Sequence, residues 1–159
     1  MEDDSMKTRT CLMVAVTLIG IFVASHALAQ SDGPGRPPLF AVLLGGNEVS
    51  DDGQANVGDP DGVGSATVLF AATTLCFGLT VNNLDEPTAA HIHQERAGVN
   101  GPIVVPLTAP ANGDPGASSG CIPDVDPDLV EEIRTHPGEF YVNVHTEKFP
   151  AGAIRGQLF

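Results

Sequence analysis

The chain has 159 residues, of which 20 are acidic and 7 are basic, so its formal net charge at pH 7 is −13. A surface this acidic repels the phosphate backbone, which excludes nucleic acid as a partner. The charge favours solubility and attracts cations, and the length allows one domain with a hydrophobic core.

The first 29 residues are predicted to be a secretory signal peptide. Lys7 and Arg9 form a basic segment, residues 11–25 an apolar run, and residues 27–29 (Ala-Leu-Ala) a cleavage site. A retained anchor helix is the less favoured alternative, because the apolar run is shorter than the roughly 20 residues that a membrane span needs. The mature protein is therefore expected to be secreted, extracellular or periplasmic, without membrane association after cleavage.

The mature chain is predicted to be all-β. Residues 30–38 are rich in Gly, Pro and Ser and should form a flexible lead-in to a domain over residues 39–159. One strand is expected to carry His91 and His93, and six further strands are expected at residues 39–44, 65–70, 74–81, 103–107, 140–146 and 153–158. Short strands, frequent Gly/Pro turns and no βαβ alternation indicate a Greek-key antiparallel β-sandwich or barrel.

Two segments between the strands are predicted to be loops. Residues 51–64 place four aspartates among glycines. A calcium loop is one interpretation, but the spacing does not match an EF-hand, so a solvated acidic turn is favoured. Residues 109–120 are low in hydrophobic bulk and rich in Pro, Gly and Ser, which predicts an exposed loop leading to Cys121.

One short helix is predicted after this loop. Asp126 suits the N-cap, Pro127 suits the first helical position, and Leu129, Val130 and Ile133 supply an apolar stripe. His136 lies just past the helix, where it could be a fourth metal ligand or a capping residue. The capping interpretation is favoured, because a Pro-Gly turn follows directly.

Cysteine usage predicts one disulfide. Cys11 leaves with the signal peptide, so Cys76 and Cys121 remain. An even pair in an exported chain suggests a bond between them, and two buried free thiols are the alternative.

Five polar or aromatic residues on two separated strands form the candidate site. Side chains alternate along a strand, so His91 and His93 share one face, and Tyr141, Asn143 and His145 share another face that points away from the core. If the strands are neighbours, three imidazoles can meet. Three imidazole nitrogens with an open coordination position suit copper or zinc. The alternative is ordinary polar residues on a solvated sheet face.

The combination of four motifs resembles the CHRD (chordin-type) domain, a family of extracellular modules found in chordin and in many bacterial secreted proteins. The motifs are residues 43–49 (LLGGNEV), 90–93 (AHIH) followed by 98–104 (GVNGPIV), 141–146 (YVNVHT) and 150–158 (PAGAIRGQL). The resemblance implies an immunoglobulin-like or Greek-key fold. Residues 94–96 (Gln-Glu-Arg) depart from the small residues common in the family, which would narrow or charge the mouth of the site.

A looser similarity is to the copper-zinc superoxide dismutases, which combine a Greek-key barrel with a His-x-His strand. This resemblance implies copper held by His91, His93 and His145, with Asn143 and Arg155 as supporting or anion-guiding residues. A zinc-binding loop and a bridging histidine are absent from the sequence. Pairing of Arg155 with an acidic neighbour is the favoured alternative to a role in catalysis.

The leading functional hypothesis is a secreted protein that binds a metal ion, with copper as the cofactor, in copper handling or superoxide dismutation. The rival is a non-enzymatic structural or protein-interaction module of the cell exterior, whose protein partner is unidentified and whose histidines bind no metal. A hydrolase is the poorest option, because no Ser-His-Asp order, nucleophile elbow or catalytic carboxylate pair is found. No catalytic residue is assigned.

Overall fold

Apolar residues alternate with polar ones along most of the predicted strands, so each strand can bury one face. The computed structural model describes residues 36–159, and the predicted signal peptide lies outside the described residues. This part of the chain contains eight strands: β1 (Leu39–Leu44), β2 (Val63–Ala71), β3 (Thr74–Asn82), β4 (Pro87–Gln94), β5 (Ile103–Leu107), β6 (Gly116–Ile122), β7 (Phe140–Thr146) and β8 (Ile154–Gln157).

The strands form a single antiparallel sheet in the order β5-β4-β7-β8-β1-β2-β3-β6. Neighbours such as β4 and β7, or β3 and β6, are not consecutive in the chain, which is the mark of Greek-key connections. The sheet curls into a nearly closed barrel, and the Ser118 hydroxyl of β6 donates to the Thr108 carbonyl just after β5 at 2.6 Å. The predicted all-β Greek-key class is confirmed.

The apolar core lies inside this barrel. Phe140, Val142 and Val144 of β7 are buried in it and alternate with Tyr141 and Asn143, which project from the opposite face. Alternation along β7 therefore places the candidate site on the outer face of the sheet, as the sequence predicts.

The predicted helix is present as α1 (Pro127–Thr135), and the Asp126 side chain accepts hydrogen bonds from two backbone N–H groups of its first turn. His136 is its C-cap residue, and its backbone N–H donates to the Glu132 carbonyl at 2.8 Å. The capping interpretation of His136 is therefore confirmed. Within residues 36–159, no helix is long and apolar enough to cross a bilayer.

The prediction of an exposed loop over residues 109–120 is wrong at its C-terminal end. Residues from Gly116 onward form β6, an edge strand paired with β3. Small side chains do not prevent strand pairing, because the backbone supplies the hydrogen bonds, and Gly120 leaves room for the Phe77 ring opposite it. Cys76 and Cys121 are direct partners in this register and form the predicted disulfide.

The acidic segment between β1 and β2 is only partly solvated. Asp51 and Asp52 are exposed, as expected of an acidic turn, but Asp59 is 5% exposed. Its backbone N–H donates to the Ala153 carbonyl at 2.7 Å, which holds the segment against the chain just before β8. The solvated-turn interpretation is therefore wrong for Asp59, because a backbone contact draws it under the surface.

Candidate metal centre

Pairing of β4 with β7 assembles the three histidines. The antiparallel register sets His91 opposite Asn143 and His93 opposite Tyr141, while Ala89 lies opposite His145. One ring nitrogen from each histidine then lies within 4.8 Å of the nitrogens of the other two. The three predicted ligands are thus brought together, although His91 and His145 are 54 residues apart in the chain.

His93 has one ring nitrogen without a hydrogen-bond partner. Its Nδ1 lies 2.8 Å from the Gly101 carbonyl oxygen. A carbonyl can only accept, so Nδ1 carries the proton and Nε2 keeps its lone pair. That Nε2 is buried without a hydrogen-bond partner, in a residue that is 8% exposed. The ring also stacks on Tyr141, with 4.8 Å between centroids and 8° between planes.

His145 is oriented in the same way. Its Nδ1 lies 3.0 Å from the Pro150 carbonyl oxygen and must donate to it, which leaves Nε2 free to accept. This Nε2 lies 3.1 Å from Nδ1 of His91 and 3.1 Å from Oδ1 of Asn143. Metal-binding histidines usually donate their second ring nitrogen to such an acceptor, which fixes the tautomer and the ring orientation.

Electrostatics keep the three rings neutral. Burial lowers the pKa of His91, His93 and His145, and repulsion from neighbouring histidines lowers the pKa of His91 and His145 further. Hydrogen bonding to the backbone partly opposes this for His93 and His145. At neutral pH the group therefore offers nitrogen lone pairs, which are what a metal ion requires.

Arg155 lies on the same sheet face, directly opposite Asn143 on β8, and is 1% exposed. Its guanidinium group covers the Tyr141 ring, with 3.4 Å from Cζ to the ring centroid. It donates to acceptors in the loop between β4 and β5, namely the Arg96 carbonyl at 3.0 Å, the Val99 carbonyl at 2.8 Å and Asn100 Oδ1 at 3.2 Å. Arg155 thus holds this loop over the site.

The loop in turn holds His93. Besides accepting from His93, Gly101 donates its backbone N–H to the Tyr141 hydroxyl at 3.2 Å. Tyr141 therefore contacts the loop through its hydroxyl, and the imidazole and the guanidinium group through its ring. The polar face is consequently covered over Tyr141, Asn143 and His93, while His91 and His145 remain half-buried, so it is not an ordinary exposed sheet face.

Glu48 is a site residue that sequence reasoning missed. It follows the short 3-10 helix Gly45–Asn47 and is 2% exposed. Burial raises its pKa to about 7, an effect that the charge of Arg155 and the amide of Asn143 partly oppose. Its Oε1 has no hydrogen-bond partner. In the sequence, the signal that could have found it is its place in the 43–49 motif.

The raised pKa of Glu48 predicts a pH-dependent loss of stability. The unfolded chain releases this proton near the ordinary pKa of 4.5 and the folded chain near about 7, so the folded state binds more protons between these values. The contribution of Glu48 to the free energy of unfolding should therefore be complete below pH 4.5, fall as the pH rises to about 7, and then level off.

The variant Glu48→Gln lacks this contribution and retains the three histidines, whose own titration cancels in the comparison. We expect the stability of the wild type relative to Glu48→Gln to fall by up to about 3 kcal/mol as the pH rises from 4.5 to about 7. Urea denaturation at a series of pH values measures it. A difference that does not change with pH would show that Glu48 titrates normally.

A family model described as the CHRD domain matches residues 39–158. No curated protein and no solved structure matches the chain.

Proposed function

This chain belongs to the CHRD domain family, and from that premise we propose that it is an exported protein that binds one transition-metal ion, copper by preference, through His91, His93 and His145. The observation that carries the proposal is the buried Nε2 of His93, which lacks a hydrogen-bond partner. An unsatisfied buried acceptor costs about 1–3 kcal/mol, so such an atom indicates a missing partner. His93 is one of three histidines that each offer a ring nitrogen within 4.8 Å of those of the other two.

The donor set favours copper. Three neutral imidazoles suit copper, zinc, iron and nickel, and among divalent ions of the first transition row the affinity of such a site is highest for copper. Cys76 and Cys121 are joined in a disulfide and supply no thiolate. A copper ion held there would supply Lewis acidity and one-electron redox chemistry, while the carbonyls of Gly101 and Pro150 keep two of the rings oriented toward it.

Export is supported by the same disulfide, since such bonds persist in oxidising compartments. It also rests on the predicted cleavage after residue 29. Copper acquired outside the cytoplasm would reach the site from the side of His91, which is more exposed than His93.

Titration of the metal-free protein with Cu(II) tests the proposal. We expect one equivalent to bind, with nitrogen hyperfine structure in the electron paramagnetic resonance spectrum and a single saturating visible band. Several weak sites without nitrogen coordination would overturn the proposal. Superoxide decay in the presence of the copper-loaded protein then separates dismutation from copper handling, because a bound but inactive ion leaves only handling.

A second candidate function is a structural or protein-interaction module that binds no metal. It is favoured by the 3.1 Å contact between His91 Nδ1 and His145 Nε2, which can be a direct hydrogen bond between the two strands. Under this alternative, the histidines tie β4 to β7 and any copper uptake is weak and independent of them.

A further inference from the structure

Two of the three histidine rings are fixed by the protein backbone. Nδ1 of His93 donates to the Gly101 carbonyl at 2.8 Å, and Nδ1 of His145 donates to the Pro150 carbonyl at 3.0 Å. A hydrogen bond of this kind sets both the tautomer and the ring orientation of a metal ligand. The His93 ring is held further by its stacking on Tyr141. Each of the two rings therefore has its Nε2 lone pair left for a metal ion.

The His91 ring has no such support. Within residues 36–159 it makes one hydrogen bond, from Nδ1 to Nε2 of His145 at 3.1 Å, and no backbone carbonyl accepts from it. Its ring meets those of His93 and His145 edge-on, with the centroids 5.5 Å and 5.0 Å apart. His91 is also half-buried, whereas His93 is buried. The orientation of the His91 ring thus depends on the other two histidines and not on the backbone.

The contact between His91 and His145 is incompatible with a metal ion on both residues. Because Nδ1 of His145 donates to the Pro150 carbonyl, its Nε2 accepts, and the proton between the two rings belongs to Nδ1 of His91. A metal ion on Nε2 of His145 uses the same lone pair. The His91 ring must therefore change its tautomer or its orientation when a metal ion binds, while the other two rings keep their backbone hydrogen bonds.

We propose that His91 is the ligand that distinguishes the two oxidation states of copper: His93 and His145 suffice to hold Cu(I), and His91 completes the site for Cu(II). The inference rests on the proposed function, because it divides the roles of the three ligands in the same site. His91 is thereby the residue that determines specificity for the oxidised ion.

The physical basis is the number of ligands that each ion requires. Cu(I) has a filled d shell and is satisfied by two imidazole nitrogens, whereas Cu(II) favours tetragonal sites with more nitrogen and oxygen ligands. Ring nitrogens of His93 and His145 lie within 4.8 Å of each other, and one ion spans about 4 Å between two nitrogens. A third nitrogen that has to rearrange therefore adds mainly to the affinity for Cu(II).

The variant His91→Phe tests the inference, because phenylalanine keeps a planar ring and supplies no nitrogen. Competition with glycine measures the affinity for Cu(II). Competition with bicinchoninate measures the affinity for Cu(I), with ascorbate as a reductant that leaves the disulfide intact. We expect the Cu(II) affinity to fall by about 100-fold or more and the Cu(I) affinity to change by less than about tenfold.

The reduction potential of the bound copper is a second measurement of the same difference. A tenfold change in one of the two affinities shifts a one-electron potential by about 59 mV, so a 100-fold selective loss of Cu(II) affinity should raise the potential by about 120 mV. Voltammetry of the copper-loaded wild type and of His91→Phe measures this shift. An unchanged potential would mean that His91 serves both oxidation states equally.

The matched control is His145→Phe, which makes the same replacement at a ring that the backbone fixes. This variant should lose affinity for Cu(I) and Cu(II) alike, by about 100-fold or more for each. His91→Ala repeats the test should the phenylalanine ring prevent folding, and circular dichroism shows which variants are folded.

The outcomes separate the two proposals. A wild type that binds one copper ion, with Cu(I) and Cu(II) affinities that fall equally in His91→Phe, overturns the special role of His91 and leaves the three-histidine site intact. Unchanged affinity for both ions in that variant overturns the inference as well, because His91 would then bind neither ion. Failure of the wild type to bind copper stoichiometrically overturns the proposed function and this inference together.

Discussion

Replacing His93 with alanine is expected to abolish stoichiometric copper binding. The variant loses the nitrogen that is buried without a partner, and two imidazoles remain. Loss of an outer contact to a metal ligand typically costs about 10- to 100-fold in affinity, so loss of a ligand should exceed that range. Copper titration followed by paramagnetic resonance measures the effect, and the nitrogen hyperfine signal of the wild type should disappear.

His136→Ala is the control for this experiment. His136 is the C-cap residue of α1 and is not a member of the three-histidine group, so the variant should bind copper like the wild type. Circular dichroism should show both variants folded. His93→Ala leaves the core intact, because Ile92, beside His93 on β4, packs in the core from the opposite face. Equal, weak uptake by the wild type and His93→Ala would favour the interaction module.

Replacing Arg155 with methionine should lower the free energy of unfolding by about 3–5 kcal/mol, because each buried acceptor that loses its donor costs about 1–3 kcal/mol. Methionine fills part of the space but donates nothing, so the Val99 carbonyl and the Asn100 oxygen lose the Arg155 donor, and the Arg96 carbonyl keeps only the Val99 N–H. Without the positive charge of Arg155 the pKa of Glu48 should rise further, so this buried carboxyl group takes up a proton at neutral pH. Urea denaturation at neutral pH measures the loss. Copper affinity should fall as well, since the loop that carries the Gly101 carbonyl is no longer held down.

Arg36→Met removes the same charge from an exposed position and is the matched control. Arg36 pairs with Glu131 at 3.4 Å on the surface. An exposed pair contributes about 0–1 kcal/mol, so the loss should be several-fold smaller than for Arg155→Met. Similar losses in the two variants would mean that the contacts of Arg155 with the loop add nothing to stability.

Most of the strands can be predicted from the sequence, because side chains alternate between the two faces of a strand and apolar residues therefore recur at every second position. In β7 the alternation separates Phe140, Val142 and Val144 from Tyr141 and Asn143, and the structure places these two sets on opposite faces. The same alternation does not predict β6 (Gly116–Ile122). An edge strand of small residues pairs through its backbone and has no alternating hydrophobic pattern in its sequence.

By itself, the sequence determined which residues share a face: His91 with His93 on one strand, and Asn143 with His145 on the other. That follows from backbone geometry, which is local. The tertiary structure decided that the two strands are neighbours and that the face is covered. The register between β4 and β7, the closure of the loop by Arg155 and the burial of Glu48 depend on contacts between residues about 40 to 110 positions apart, which no local pattern encodes.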